Sequence, residues 1–302
     1  MKRKLLGVVL CIVLLLSLVG YASGASKYRI FLITMDQMDQ HWVTVDAGAK
    51  KAVSELGNVT YRWLAPDVKD DAKQIESINN AIAGGADAIL LAANGPTAVT
   101  SALREATAAG VKIIYVDSPA DYPGEQTLAT DNEAAGNKAG QELKKALVNK
   151  GITSGKLGVV NVNAATASVV QRENGFRAAF KGTAFQILET QYSEGDAARS
   201  KDIAANYITQ GVVGIFGANE GCTVGTGNAI KEAGGKVIGI GFDKSNTILQ
   251  LIKEGHLLAT MAQNPDVMGY KGIKAAVAVL EGKSPGAAYV DTGVSVLTKD
   301  TL

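Results

Sequence analysis

The sequence contains 302 residues, of which 47% are apolar and 20% are charged, and its formal net charge is +1. A chain of this length can supply two ordinary domains, each with its own core. The balanced charge argues against nucleic acid as a partner, because surfaces that bind nucleic acid are basic. With 6 prolines and a low net charge, the composition is typical of a folded chain.

The N-terminus has the pattern of a secretory signal peptide. A basic start, MKRK, precedes the apolar run LLGVVLCIVLLLSLVG, and YASGAS then offers small residues for cleavage after Gly24 or Ala25. The run is short for a membrane-spanning helix, so we interpret residues 1–25 as a signal peptide, with an uncleaved anchor as the alternative. Tyr21 occupies the place of the lipidated cysteine of a lipoprotein signal, so we expect a soluble exported protein.

One cysteine remains when the predicted signal peptide is removed. Cys11 lies inside that segment, so the mature chain keeps only Cys222. It can form no intramolecular disulfide and no cysteine-based metal site. We therefore expect burial of the core to provide the stability of the fold.

From residue 28 onwards, short β-branched runs alternate with amphipathic segments of helical length. In chain order the runs are YRIFLI, VTYRWLA, ADAILLAA and VKIIYV, then KLGVVNV, FQILET, VVGIFGA, KVIGIGF and LLATMA. Several are apolar on both faces, as strands buried on both sides must be. Several helical segments end at glycine, a common C-terminal cap. The alternation predicts βαβ units and parallel sheets.

The pattern breaks once, near the middle of the chain. After YVDS comes PADYPGEQTLATDN, which has two prolines and no helical periodicity, and the alternation then restarts. The sequence therefore predicts an α/β fold of two doubly wound parallel-sheet domains. The first passage of the chain between them is expected around residues 118–132.

Polar side chains follow the predicted strands in both halves. Ligands of open parallel sheets bind beyond the carboxyl ends of the strands. Asp, Asn, Gln and Arg can hydrogen-bond neighbouring hydroxyls, and an aromatic ring offers a flat apolar face. Any one of these residues could merely be a helix N-cap, but together they favour a ligand site between two domains. The residues are Asp39, His41 and Trp42 in TMDQMDQHW, then Asn94, Asp117, Arg172, Asn219, Asp243 and Gln263, with Phe242 nearby.

Catalytic and metal sites are poorly supported. Asp36, Asp39 and His41 lie close together, but no cysteine or second nearby histidine completes a zinc set, and no EF-hand pattern occurs. The chain also lacks a G-x-G-x-x-G fingerprint, a P-loop and a G-x-S-x-G elbow. We expect no cofactor, no metal and no enzymatic activity.

Four ordered motifs carry a resemblance to a known family. They are ATDN at 129–132, QRENGF at 171–176, GFD at 241–243 and ATMAQNPDVMGYKG at 259–272. Over about residues 28–300 the chain resembles the periplasmic sugar-binding proteins of ABC transporters, especially the ribose-binding proteins. The resemblance implies two Rossmann-like lobes with three crossovers, near 131–132, 263–264 and 291–293, that close on a sugar by hinge motion. The lobes would comprise residues 27–131 plus 264–292, and 132–263 plus 293–302.

The resemblance also implies roles for the residues after the strands. Asp39, His41 and Trp42 match a loop that supplies an Asn and two stacking phenylalanines in ribose binders, and Phe242 matches an aromatic beside the ring. Ser118 stands where the ribose pattern has Arg, so we expect a cleft that leans negative. A hexose, a cyclic polyol or an amine-bearing sugar then stays open beside ribose. The family residues that hydrogen-bond the sugar are matched in this sequence by Asp117, Arg172, Asn219, Asp243 and Gln263.

The function implied is that of a monomeric, periplasmic solute-binding protein. It would capture a monosaccharide or polyol by hinge closure and deliver it to the permease subunits of an ABC importer. The alternatives are a sugar sensor for a chemoreceptor or sensor kinase, and the effector-binding domain of a repressor.

Overall fold

A computed structural model describes residues 27–302. The signal peptide predicted for residues 1–25 lies outside this range. Within the range, no helix combines the length and the apolar composition that crossing a membrane requires. Strands and helices are labelled below in chain order, from β1 to β13 and from α1 to α9.

The first lobe is built on a six-stranded parallel sheet with the order β12-β5-β4-β3-β1-β2. All four residues of its central strand β3 are buried, because helices cover both faces. One face packs on α1 and α9, and the other on α2 and α3. The strands are β1 (Tyr28–Ile33), β2 (Val59–Leu64), β3 (Ala88–Leu91), β4 (Lys112–Val116), β5 (Gln126–Ala129) and β12 (Tyr289–Asp291). The helices are α1 (Gln40–Leu56), α2 (Asp71–Ala83), α3 (Thr100–Ala108) and α9 (Pro265–Leu280).

The second lobe repeats this plan with the strand order β13-β11-β10-β9-β6-β7, and β8 also pairs with β6. All neighbours are parallel except β13, which runs antiparallel to β11. The strands are β6 (Ser154–Asn161), β7 (Ala184–Ile187), β8 (Gln191–Tyr192), β9 (Val212–Gly217), β10 (Ile238–Phe242), β11 (Ala259–Gln263) and β13 (Val294–Thr298). The helices are α4 (Asn132–Asn149), α5 (Ala167–Ala179), α6 (Ala197–Thr209), α7 (Glu220–Glu232) and α8 (Asn246–Glu254). The predicted fold class, two doubly wound α/β lobes, is confirmed.

The chain passes between the lobes three times, after β5, after β11 and after β12. Hydrogen bonds join the three passages to one another. Thr130 donates through Oγ1 to Oε1 of Gln263 at 2.8 Å, and the Asn264 side chain donates to the carbonyl of Thr292 at 2.8 Å. The three segments therefore form one connected strip, as a hinge between two rigid bodies requires.

Two helix pairs lie with their backbones in direct contact, one pair in each lobe. A Cβ atom on Gly48 of α1 would overlap the carbonyl oxygen of Asp266 in α9. A Cβ atom on Gly136 of α4 would likewise overlap the carbonyl oxygen of Arg172 in α5. Glycine is required at both positions because a backbone cannot yield as a flexible side chain can. The second pair fixes the place of Arg172, a predicted site residue.

Candidate functional site

The carboxyl ends of strands from both lobes meet around one small cavity. Its volume of about 20 Å³ has room for a single water molecule. A wider groove of about 760 Å³ lies outside it and shares the walls made by Asp39 and Lys69. Eight of the predicted residues line the cavity: Asp39, His41, Trp42, Asp117, Arg172, Asn219, Asp243 and Gln263.

Asp117 and Asp243 hold equivalent positions in the two lobes. Each follows directly after a central strand, β4 or β10, and each is about 96% buried, with 4% of its surface exposed. Both have left-handed backbones, with φ of 63° and 72°. Aspartate tolerates this conformation better than most residues, and such strain is typical of binding sites. The turn aims both carboxylates into the cavity.

His41, the second residue of α1, lies between these aspartates and so links the lobes. Its Nε2 is 3.1 Å from Oδ2 of Asp117, and its Nδ1 is 3.5 Å from Oδ1 of Asp243. Burial by itself would lower the pKa of His41, but the two carboxylates raise it to about 10. The imidazolium therefore stabilises the fold at acidic and neutral pH. That contribution is lost as the pH rises through about 10.

The same contacts act on the aspartates in the opposite sense. Burial would raise the pKa of both carboxyl groups, but His41 and Arg172 hold that of Asp117 below its usual value. They also lower the pKa of Asp243 to about 2. Both groups are therefore ionised acceptors at neutral pH.

Arg172 brings a guanidinium to the cavity from α5. Its Nε donates to Oδ1 of Asn132 at 2.8 Å, its Nη1 donates to the carbonyl of Ala218 at 3.0 Å, and the group lies over the ring of Phe242 at 4.4 Å. Its Nη2 is 3.6 Å from Oδ2 of Asp117 and, among residues 27–302, has no hydrogen-bond partner. A buried donor in this state can bind a ligand oxygen.

The loop after β1 is folded around Asp36. The carboxylate accepts hydrogen bonds from the backbone N–H groups of Met38 and Asp39 and from the indole of Trp42 at 3.0 Å. Lys69 forms ion pairs with Asp36 at 2.6 Å and with Asp39 at 3.0 Å. Burial would raise the pKa of Asp36, but Lys69 and the hydrogen bonds lower it, whereas burial raises the pKa of Asp39 to about 6. Asp36 thus orients Trp42, and Asp39 faces the cavity.

Asn219 and Gln263 complete the polar wall. Asn219 is also the N-cap of α7, since its Oδ1 accepts from the backbone N–H of Cys222 at 2.9 Å. Its Nδ2 lies 3.4 Å from Oδ2 of Asp39, across the cleft. Gln263 donates through Nε2 to Oδ1 of Asp243 at 2.6 Å. The Asn219 side chain therefore connects the second lobe to Asp39 of the first, and Gln263 connects the hinge to Asp243.

Two predicted residues lie outside the cavity wall. Phe242 is fully buried behind Arg172, where its ring also packs against Phe216 at 6.0 Å. Asn94 donates to Oδ1 of Asp71 at 2.6 Å, and its carbonyl accepts from the Thr166 hydroxyl at 2.6 Å. Their positions indicate support of the neighbouring residues.

The structure adds residues that the sequence reasoning missed. Lys69 enters from the loop after β2, and Thr166 and Ser168 enter from the start of α5. Lys69 was missed because it lies five residues beyond the end of β2, in a loop and not directly at a strand end. Among the described residues, no cluster of three or more His, Cys, Asp or Glu side chains is arranged to hold a metal ion.

Glu220 is a further buried acid at the edge of the site. It begins α7, and its Oε2 accepts from the backbone N–H of His41 at 3.1 Å. Burial, together with the charges of Asp39 and Asp243, raises the pKa of Glu220 to about 7. A carboxyl group whose pKa is raised by folding destabilises the fold once the pH exceeds the pKa of the unfolded chain. For Glu220 this loss of stability grows as the pH rises and levels off above about 7.

We expect Glu220→Gln to raise the melting temperature more at pH 8 than at pH 5. Native Glu220 is protonated at pH 5 and resembles Gln, whereas at pH 8 it must ionise beside Asp39 and Asp243. Thermal unfolding at the two pH values measures the difference. Glu76→Gln, at an exposed position of α2, is the control and should give no pH-dependent gain. Equal shifts at both pH values for Glu220→Gln would contradict the raised pKa.

Two similar α/β lobes, three hinge passages and a buried polar cavity between them define a two-lobed, ligand-enclosing binding protein. A family model described as a periplasmic binding protein domain matches residues 30–284, and the chain belongs to this family. Within the family it is of type I, with the ribose-binding proteins.

Three proteins illustrate the similarity. The ribose import binding protein of Haemophilus influenzae is 27% identical, over 93% of this chain and 94% of its own length. A carbohydrate transporter solute binding protein from Agrobacterium radiobacter, solved with D-arabinose, is 32% identical and covers 91% of this chain and 95% of its own, with a TM-score of 0.87. An ABC transporter solute binding protein from Agrobacterium vitis, solved with D-fucose, is 32% identical, with coverage of 90% and 96% and a TM-score of 0.84.

Proposed function

We propose that the protein is an exported, periplasmic solute-binding protein that captures a monosaccharide or related polyol and delivers it to an ABC importer. The observation that carries the proposal is the convergence of groups from both lobes on one small cavity: ionised acceptors, and a guanidinium donor with no hydrogen-bond partner among residues 27–302. A neighbouring pair of sugar hydroxyls can donate to the carboxylates and accept from the guanidinium. This chemistry binds hydroxyls without breaking a bond, so we propose binding and not turnover.

The residues divide into hydroxyl contacts and ring contacts. Asp117, Arg172 and Asp243 lie deepest and would bind adjacent hydroxyls, with Asp39, Asn219 and Gln263 around them. Trp42 offers an apolar plate, and His41 lies edge-on to it with ring centroids 4.6 Å apart. Phe242 would support Arg172 from behind, and Asn94 would support Thr166. The similar proteins named above carry the names of ribose, D-arabinose and D-fucose, which supports the proposal of a neutral monosaccharide.

Binding would require the lobes to part and close again. The cavity of about 20 Å³ is far below the roughly 300 Å³ or more of an ordinary small-molecule pocket. His41 lies close to Asp117 and, across the cleft, to Asp243, and Arg172 lies across the cleft from Asp117. A ligand that enters the cleft must therefore break these contacts and replace them with its own. The ligand would stabilise the closed state by its differential affinity for that state.

Calorimetric titration of the mature chain with D-ribose, D-arabinose and D-fucose tests the proposal. We expect at least one sugar to bind with a dissociation constant of roughly micromolar or tighter. At a hundredfold excess over that constant, the sugar should add about 2.7 kcal/mol of stability in thermal unfolding. Failure of all three, and of a wider set of hexoses and inositols at millimolar concentration, would refute it. Chemical conversion of a bound sugar would instead identify an enzyme.

A further inference from the structure

Lys69 holds an unusual position at the boundary between the cavity and the outer groove. It lies on the loop between β2 and α2, and only 7% of its side chain is exposed. The next residue, Asp70, caps α2 by accepting from the backbone N–H of Lys73 at 2.9 Å, which fixes the end of the loop. A buried lysine must be paired, and here two carboxylates, Asp36 and Asp39, pair it.

The ammonium group also lies against the second lobe. A Cβ atom on Gly195 would be 3.1 Å from Nζ of Lys69 and 3.0 Å from Nδ2 of Asn219. Gly195 has a left-handed φ of 74°, so this close approach depends on glycine. Lys69 and Asp39 from one lobe therefore meet Asn219 and Gly195 from the other, where a ligand in the cleft would touch all of them.

Lys69 is one of three cations in the cavity lining, where Asp39, Asp117 and Asp243 face His41, Lys69 and Arg172. Asp36, which is not part of this lining, shares Lys69 with Asp39. The sequence led us to expect a negative cleft because only Arg172 was counted as a cation facing these aspartates. Lys69 and the charge on His41 were left out. Loss of Lys69 would leave Asp39 beside the ionised Asp36 without a cation.

We propose that Lys69 is a specificity-determining residue, which offsets the negative charge of the wall formed by Asp36 and Asp39 so that the cleft takes neutral sugars and rejects amine-bearing ones. This inference rests on the proposed sugar-binding function. An ammonium group on the ligand would meet the Lys69 charge at short range in a poorly hydrated site, where like charges repel strongly. Without Lys69, the same wall would attract the amine.

The test compares Lys69→Met with the double variant Lys69→Met/Asp39→Asn. Calorimetry at pH 7 would use D-ribose, D-arabinose and D-fucose, and the matched pairs galactose/galactosamine, glucose/glucosamine and mannose/mannosamine. The control is Lys73→Met, whose side chain is 48% exposed and pairs only with the exposed Asp67 in the described structure. Circular dichroism and the melting temperature of each variant verify folding before titration.

We expect Lys69→Met to weaken the binding of every neutral sugar that the wild type binds by at least about tenfold. It should also raise the affinity for an amine-bearing sugar, relative to that for its neutral counterpart, by at least about tenfold. The double variant should recover neutral binding to within a few-fold, because removing the Asp39 charge restores the wild-type net charge of the site. A purely structural lysine would give no such rescue, since the second substitution would add to the damage.

The two proposals fail in different ways. If no panel sugar binds the wild type, the proposed function is wrong and this inference falls with it. If neutral sugars bind the wild type but Lys69→Met leaves their affinity unchanged, or if the double variant shows no rescue, the specificity role of Lys69 is overturned. An unchanged affinity ratio for an amine-bearing pair that binds would overturn it as well.

Discussion

Replacing Arg172 by methionine is expected to weaken sugar binding by about 30-fold or more. The substitution removes the donor Nη2 that faces the cavity and leaves Asp117 with His41 as its remaining cation contact. Truncating one partner of a buried charge pair typically costs 2–5 kcal/mol, about 30-fold to several thousandfold in affinity. Calorimetry with the best-binding sugar of the panel measures the effect. Methionine retains most of the apolar stem, but the guanidinium contact with the Phe242 ring is lost.

Arg177→Met provides the matched control for this substitution. Arg177 lies on the same helix α5 but is partly exposed, and it pairs with Glu173 at 2.7 Å on the outer side. Its loss should leave sugar affinity within about twofold, because partly exposed ion pairs contribute little. Equal effects of the two substitutions, or undiminished binding by Arg172→Met, would remove Arg172 from the site.

Replacing Asp243 by asparagine is expected to raise the dissociation constant at least about tenfold. Asparagine keeps the shape and tolerates the left-handed φ of 72°, but it exchanges a charge-assisted acceptor for a neutral one. It also removes one of the two carboxylates that surround the His41 imidazolium. Sugar titration of Asp243→Asn measures this loss of charge separately from any change in the backbone.

Asp243→Ala extends this experiment to the backbone. Alanine adopts a left-handed conformation less readily than asparagine, so it should cost roughly 1 kcal/mol more in stability as well as weakening binding. Asp202→Asn, exposed on α6 of the same lobe, is the control and should change neither quantity. Binding by Asp243→Asn at wild-type affinity would show that the charge at this position is not used.

The fold could be predicted from the sequence because its determinants are periodic. Strands such as ADAILLAA and VVGIFGA are apolar on both faces, which only helix-covered parallel sheets accommodate. The carboxyl ends of β4 and β10 then place Asp117 and Asp243 at one cavity. Eight predicted residues line the cavity for this reason.

Other parts of the site could not be read from the strand ends alone. Phe242 is the last residue of β10, and alternation along the strand sends its side chain to the face opposite that of Gly241 and into the core with Phe216. The charge of the cleft depends on Lys69, which lies five residues beyond the end of β2 and is brought in by the path of a loop. The protonation of His41 depends on two carboxylates from different lobes, a coincidence that no local pattern encodes.

The direct backbone contact between α4 and α5 has a mechanical consequence. The first hinge passage runs from Ala129 to Asn132, the first residue of α4, with only residues 130 and 131 between them. Because Gly136 lets α4 lie against the backbone of Arg172, the two helices can scarcely slide past each other. A few degrees of rotation about the backbone torsions of residues 130–131 would therefore displace the guanidinium of Arg172, because α4 and α5 would move as a rigid pair. Arg172 would therefore move together with the rotation at residues 130–131. A change that loosened the contact between α4 and α5 would uncouple closure of the lobes from the movement of Arg172 toward the ligand.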